Sequence, residues 1–262
     1  MSSHYTSLEA ELHDVFWSSE ESPEFEWLDS LLKNHPGRAL EIGCGSGRLL
    51  LPLIKNGHTI EGLESSSEML EMCRISAQEQ ELSPTLHLGD MTSFAALNPY
   101  HCVLVPAFTF QLSDDPIATL KNFKKLLIPG GLLYLTVFIP YAEIDGELPE
   151  NEWYPDHELT LPDGRHASIR TKHQLDRRKR LLKREHHYQL TDGEEIREHR
   201  SKQSIRWFSA HQLAKLIADV GFIVETAVAD FDEQLAVDED SQIITLVARK
   251  KSTSATANPR SE

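Results

Sequence analysis

Five short apolar runs, at residues 39–42, 59–63, 85–88, 102–107 and 132–139, alternate with stretches whose apolar positions recur at helical spacing. Strands ordered in this way cannot pair as tight hairpins, because a helix must cross back over the sheet between each strand and the next. The alternation specifies an α/β domain, a doubly wound and mostly parallel sheet with helices on both faces. The crossing helices are expected at 48–56, 67–80 and 116–127, the last closed by Pro129-Gly130-Gly131. Two helices precede the first strand. In one, Leu8, Leu12, Val15 and Phe16 share a face and Thr6 with Glu9 forms a capping box. The other opens at Ser22, with Pro23 in the first helical position and Phe25, Leu28 and Leu32 on one stripe. Near the far end Ser209 and Gln212 cap a helix that runs to Asp219 and is stopped by Gly221, and strands follow at 223–229 and 242–248.

The alternation breaks once, between 141 and 206. Three extended pieces, about 166–175, 180–190 and 195–206, are separated by Asp176-Arg177-Arg178-Lys179 and Thr191-Asp192-Gly193-Glu194, which read as hairpin turns. The expected organisation is therefore N-terminal helices at 1–35 covering the site, a core at 36–140 and 207–250, a small antiparallel β lid inserted at 141–206, and a disordered tail at 251–262. The insertion is also set apart by charge. The chain carries 26 basic and 41 acidic side chains, a net −15, yet residues 165–206 hold 13 of the basic groups against 6 acids. Solvated edge strands account for that balance, and so does a clamp for an anionic small molecule or for the acidic face of a second copy, a homodimer.

Composition removes several classes. With 40% hydrophobic and 26% charged residues the chain is ordinary for a globular protein. Its longest apolar run, 132–141, is far shorter than the ~18–20 residues that span a bilayer, so no membrane partner is expected. No secretory signal opens the sequence. Three cysteines, Cys44, Cys73 and Cys102, without close spacing, argue against a disulfide framework and a metal site and for a reducing, cytoplasmic location. The acidity weighs against nucleic acid.

The chemistry is concentrated at the ends of the first three strands. Glu41-Ile42-Gly43-Cys44-Gly45-Ser46-Gly47-Arg48 follows a strand and opens a helix, where glycines let a ligand approach the main chain and the unpaired N–H groups of the helix start. Glu64 closes the second strand, 21 residues after Gly43, where a carboxylate can accept from both hydroxyls of a ribose. Asp90 closes the third, where it can accept from a purine amine while Met91 packs on the ring. Together they describe a nucleoside site at the edge where open α/β sheets bind ligands. The dinucleotide fingerprint Gly-x-Gly-x-x-Gly is not met, because Arg48 stands where its third glycine belongs.

In these residues the sequence resembles the class I S-adenosylmethionine-dependent methyltransferases. The likeness runs through the glycine loop, Gly62-Leu63-Glu64-Ser65, Gly89-Asp90-Met91, Pro129-Gly130-Gly131 and Trp207-Phe208-Ser209, closely over 36–140 and more loosely over 205–249. It implies a Rossmann-like methyltransferase fold, a seven-stranded sheet whose final strand is antiparallel. It implies S-adenosylmethionine as cofactor, with Gly43, Cys44, Gly45 and Gly47 in the loop, Glu41 facing the amino-acid end, Glu64 and Ser65 at the ribose, and Asp90 and Met91 at the adenine. The reaction would be in-line methyl transfer to a small-molecule acceptor. Phe110, Gln111 and Tyr141, just past the fourth and fifth strands, are the substrate-pocket candidates, and no catalytic base is assigned. Two other readings stand beside it: a non-catalytic S-adenosylmethionine-binding regulator, and an NAD-dependent oxidoreductase disfavoured by Arg48.

Overall fold

A computed structural model describes residues 7–17 and 23–252. Strands β1 (Ala39–Ile42), β2 (Ile60–Glu64), β3 (Leu86–Leu88), β4 (Tyr100–Val105) and β5 (Leu127–Phe138) are parallel and lie in the order β5-β4-β1-β2-β3. Beyond β5 the sheet continues through β12 (Ile243–Lys250), which is antiparallel to both β5 and β10 (Phe222–Ala229). The final strand is thus antiparallel as expected, but the sheet has eight strands rather than seven. The addition is β11 (Asp232–Ala236), hairpinned onto the outer edge of β10. Every residue of β11 is exposed, so it carries no apolar face that periodicity could detect.

The two faces of the sheet are covered separately. Alternate residues of β1, β4 and β5 point to opposite sides. Leu40, Val103, Leu133 and Leu135 pack with Phe123 of α5 (Pro116–Leu126) and Leu213 and Ile217 of α7 (Ala210–Val220). Ala39, Cys102, Leu104 and Tyr134 pack with α2 (Pro23–Asn34), α3 (Leu50–Lys55) and α4 (Ser67–Glu79). Ser209 caps α7 in a capping box with Gln212, and Gly221 ends it in the left-handed conformation, φ +99°. The helix α5 stops one residue earlier than expected, and the strand starts at Leu127 rather than 132, with an irregularity opposite Tyr100 that takes up Pro129-Gly130-Gly131.

The segment after β5 opens with α6 (Tyr141–Ile144) and forms a four-stranded antiparallel sheet of β6 (Tyr154–Thr160), β7 (His166–Asp176), β8 (Leu181–Asp192) and β9 (Glu195–Arg206). The fourth strand, β6, was not expected. It is a polar edge strand with Pro155 near its start, a pattern that reads as loop in sequence. Helix α1 (Ser7–Trp17) lies on this sheet, with Leu8 and Leu12 against Ala167, Ile169, Tyr188 and Leu190. The capping residue Thr6, the helix start at Ser22 and tail residues 253–262 lie outside the described residues. No described helix is long and apolar enough to cross a membrane.

One side chain ties the insertion to the core. Gln111, buried in the short turn of helix Thr109–Leu112, donates through Nε2 to the carbonyls of Phe138 (2.9 Å) and Arg206 (3.0 Å) and accepts from Phe138 N (2.8 Å). It thereby joins the end of β5 to the end of β9. Gln111→Ala leaves these backbone groups without their partner, and urea unfolding is expected to show a loss of about 2–4 kcal/mol.

Candidate active site

The parallel pairing of β1 with β2, and of β2 with β3, brings their C-terminal ends to one edge. There Gly43 (φ +72°) and Gly45 (φ +54°) turn the chain in the left-handed region, and a Cβ on Gly43 would stand 2.5 Å from Thr109 Cγ2. Gly43 N and Cys44 N donate to the carbonyl of Leu63 (2.7 and 3.1 Å), which locks the loop to β2. The Glu64 carboxylate accepts from Gly45 N (3.1 Å) on one oxygen and from Ser65 N (2.6 Å) and Ser66 N (2.8 Å) on the other. Asp90, exposed beyond β3, accepts from Thr92 N (2.7 Å). Glu41, Gly43, Cys44, Gly45, Glu64, Ser65, Asp90 and Met91 all line one cavity of about 580 Å³. Gly47 does not. A Cβ there would lie 2.7 Å from Cys73 Sγ and 2.8 Å from Leu51 Cγ, so this glycine serves close packing of the loop on α3 and α4.

Beneath the loop sits a buried carboxylate with an unmet need. Glu41 is 2% exposed and its Oε2 has no hydrogen-bond partner among the described residues. Burial pushes its carboxyl well above the ordinary range; Arg48 opposes the shift, and Glu24 and Glu64 add to it. Glu24 is buried as well but fully engaged, accepting from Tyr134 OH (3.0 Å), Thr136 Oγ1 (2.9 Å) and Ala107 N (3.1 Å), which fastens α2 across β4 and β5.

The opposite wall comes from the insertion and α1. Phe108 and Phe138, edge to face at 5.0 Å, stand between the two halves. Past them, Tyr154, Asp156, Ile169, Arg184, His186 and Tyr188 project from β6, β7 and β8. Glu143 of α6, 3% exposed, is ion-paired to Arg184, whose guanidinium lies 5.7 Å from the centre of the Phe138 ring. His13 of α1 also lines the cavity, and the neighbouring Asp14 accepts from Ser46 Oγ (2.6 Å), so α1 touches the glycine loop directly.

The three pocket candidates named from sequence are placed elsewhere. Phe110 is fully buried in the core and stacks on Phe208 at 5.7 Å. Gln111 is the clamp described above. Tyr141 turns outward and donates to the carbonyl of Glu239 (2.5 Å). The reason lies in Ala107 and Phe108, both left-handed (φ +50° and +63°), which rotate the chain so that Phe108 faces the cavity and Phe110 the core. The basic hairpin tip also lies off the cavity. Arg177 pairs with Glu150, Lys179 with Asp176, and Arg180 donates to Gln212. The residues that sequence reading missed, Arg184, His186 and Tyr188, carried one signal. They alternate along a strand whose inward face would otherwise be apolar.

Residues 17–227 match a family described as a methyltransferase domain. A methyltransferase-like chain from Geobacillus sp. (strain WCH70) is 24% identical over 221 residues, 81% of this chain and 84% of its own. Among solved structures, an S-adenosylmethionine-dependent methyltransferase from Clostridium acetobutylicum ATCC 824 superposes with TM-score 0.76 at 15% identity, over 92% of this chain and 97% of that one. An amino pentose methyltransferase from Micromonospora echinaspora, with S-adenosylmethionine bound, superposes with TM-score 0.66 at 19% identity, over 96% and 100%. The chain belongs to this family of methyltransferases, and its fold is that of the class I enzymes that draw on S-adenosylmethionine. The oxidoreductase alternative falls with that assignment.

The raised Glu41 carboxyl fixes the sign of a pH effect. Its folded pKa lies above that of the unfolded chain, so the stability present at low pH is lost as pH rises past the ordinary carboxyl range. Glu41→Gln is neutral throughout. In the ligand-free protein its Tm should gain on the parent's between about pH 5 and about pH 8.

Proposed function

We propose that this methyltransferase seats S-adenosylmethionine on the glycine-loop side of the cavity and methylates a small amine held on the insertion side. The observation that carries this is the continuity of one cavity from Glu41 and Gly43 to His186 and Tyr188, with the Phe108–Phe138 pair between. The lining fits the cofactor. Gly43 and Gly45 both line the cavity with backbone free of a Cβ, and Glu41 Oε2, which has no partner among the described residues, meets the need of an ammonium group. Glu64 would take the ribose hydroxyls and Asp90, with Met91, the adenine.

The cofactor supplies an activated methyl group on a sulfonium. The protein must hold the nucleophile in line and exclude water. Phe108, Phe138, Tyr154 and Tyr188 give apolar walls for that purpose. The acceptor's charge class is argued from the lining, where Glu64, Asp90, Asp114 and Asp156 outnumber Arg48, while burial favours the neutral form of Glu41 and Glu143 is paired with Arg184. Arg184 is already neutralised by Glu143. Such a field attracts a cation and repels an anion. An anionic acceptor was one of three sequence readings of the basic tip, beside a solvated edge and the acidic face of a second copy, and that tip does not line the cavity. The amino pentose named for one neighbour of similar fold is itself an amine-bearing substrate, which agrees with this reading.

The test pairs calorimetry with S-adenosylhomocysteine and a turnover screen over tyramine, benzylamine and glucosamine, with organic phosphates and carboxylates as the contrast. Glu64→Ala should weaken S-adenosylhomocysteine by about 1.5–3 kcal/mol, the range for hydrogen bonds to a charged group. Unchanged affinity in the folded variant would remove the ribose assignment, and turnover of anions alone would remove the amine.

A further inference from the structure

A buried carboxylate on the insertion side of the cavity is only half engaged by the protein. Glu143 lies on α6 two residues after Tyr141, and two residues turn a helix by about 200°. Tyr141 faces outward onto the carbonyl of Glu239, so Glu143 faces inward and lines the cavity. Arg177 of the hairpin tip donates to the carbonyl of Ile144 (3.2 Å) and pairs with Glu150, which fastens the end of α6 to the insertion. Glu143 is 3% exposed, and Arg184 of β8 directs two donors at one of its oxygens: Nε (3.0 Å) and Nη2 both reach Oε1. The pair is therefore not the fork in which each carboxylate oxygen takes one N–H. Oε2 has no donor among the described residues. Unlike Glu41 Oε2, it is not sealed off by neighbouring atoms; it opens on the cavity that Glu143 lines. The other acid that the insertion brings to the lining, Asp156, already accepts from Thr171 Oγ1 (2.6 Å). Arg184 in turn lies 5.7 Å from the centre of the Phe138 ring, one of the two aromatics that stand between the halves of the cavity.

We propose that Glu143 Oε2 accepts an N–H of the acceptor amine and stabilises the positive charge that methylation creates on its nitrogen. The inference rests on the amine reading above and names the residue that recognises the amine. The reacting form is the neutral amine, whose proton has passed to water in solution before binding. It donates one N–H to Oε2 and keeps its lone pair for the methyl carbon. As the N–C bond forms the C–S bond breaks, its electrons stay on sulfur, and the positive charge passes from sulfur to nitrogen. The nitrogen retains its N–H, so the carboxylate ends beside an ammonium, a stronger partner than the amine that entered. An interaction that strengthens along the reaction in this way lowers the barrier as well as binding the acceptor. The methylated ammonium gives its extra proton to water after release. Arg184, by holding Oε1, fixes the direction in which Oε2 points and is a positioning residue.

The test uses the complex with S-adenosylhomocysteine and whichever of tyramine, benzylamine or glucosamine is turned over, each compared with its N,N,N-trimethyl form, which has the charge but no N–H. In the native protein calorimetry should show the amine bound at least about tenfold more tightly than the trimethyl form, as expected for a hydrogen bond to a charged group. Equal affinities overturn the proposal, and this comparison does not depend on a variant's folding. Glu143→Leu combined with Arg184→Met removes both members of the pair together, so no buried charge is left uncompensated. That double variant should bind the amine at least about tenfold more weakly, with the trimethyl form and S-adenosylhomocysteine within about threefold of the parent. Arg184→Met alone breaks the same ion pair but keeps Oε2, so its affinity for the amine should hold or rise. If the single and double variants lose amine affinity equally, Glu143 only clamps α6 to β8 and the proposal is overturned. It is overturned too if the double variant keeps the parent's preference for the amine over the trimethyl form. If S-adenosylhomocysteine does not bind the native protein, or no amine reacts, the underlying reading fails instead and takes this inference with it.

Discussion

The direction of strand pairing governs everything else in this molecule. Because β1 runs parallel to β2 and β4, and β2 parallel to β3, every loop that leaves a strand's C-terminal end opens on the same edge. The glycine loop, Glu64, Asp90 and Phe108 have no other reason to meet, since up to 65 residues separate them in sequence. One antiparallel neighbour, β12, lets the chain finish without a further crossover, and its register against β5 over seven residue pairs makes the sheet's centre rigid. The insertion leaves from the end of β5, on the same edge, so the face that carries Ile169, Arg184 and Tyr188 shares one cavity with the loops.

Buried acids are the second organising element. Glu9, Glu24 and Glu41 are each nearly inaccessible, and each is placed where the sheet edge meets a covering element. Glu24 is satisfied by three donors and acts as a rivet. Glu9 accepts from Tyr188 OH (3.2 Å) and Ser201 Oγ (2.9 Å) and holds α1 to the insertion. Glu9 Oε2 and Glu41 Oε2 both lack a donor among the described residues, and of these two acids Glu41 is the one that lines the cavity. A fold that tolerates this cost retains a group suited to a cationic ligand.

Much of the core was legible in the sequence because its signals are local. The period of apolar residues locates β1 to β5 and the helices between them, and the glycine spacing locates the loop. What was not legible depended on side-chain direction or on pairing without apolar burial. Phe108 and Phe110 are two residues apart, and only the left-handed turn at Ala107 and Phe108 decides which of them faces the cavity. Strands β6 and β11 are held by backbone ladders at sheet edges, so their polar sequences announce nothing. His186 reads in sequence as one histidine among 13, and its place follows only from its register opposite Thr171.

Helix α1 joins the two ends of the story in time as well as in space. Its Glu9 is bonded to Ser201, 192 positions later, and its Asp14 to Ser46. Its contact with the glycine loop is thus separated by some thirty residues of chain and its contact with β9 by nearly two hundred. Hairpins β7–β8 and β8–β9, whose contacts are close in sequence, can form early, while the enclosure of the cavity awaits the slowest, most distant closure in the chain. Until β9 is in place the glycine loop lacks the part of its enclosure that α1 and the insertion supply together.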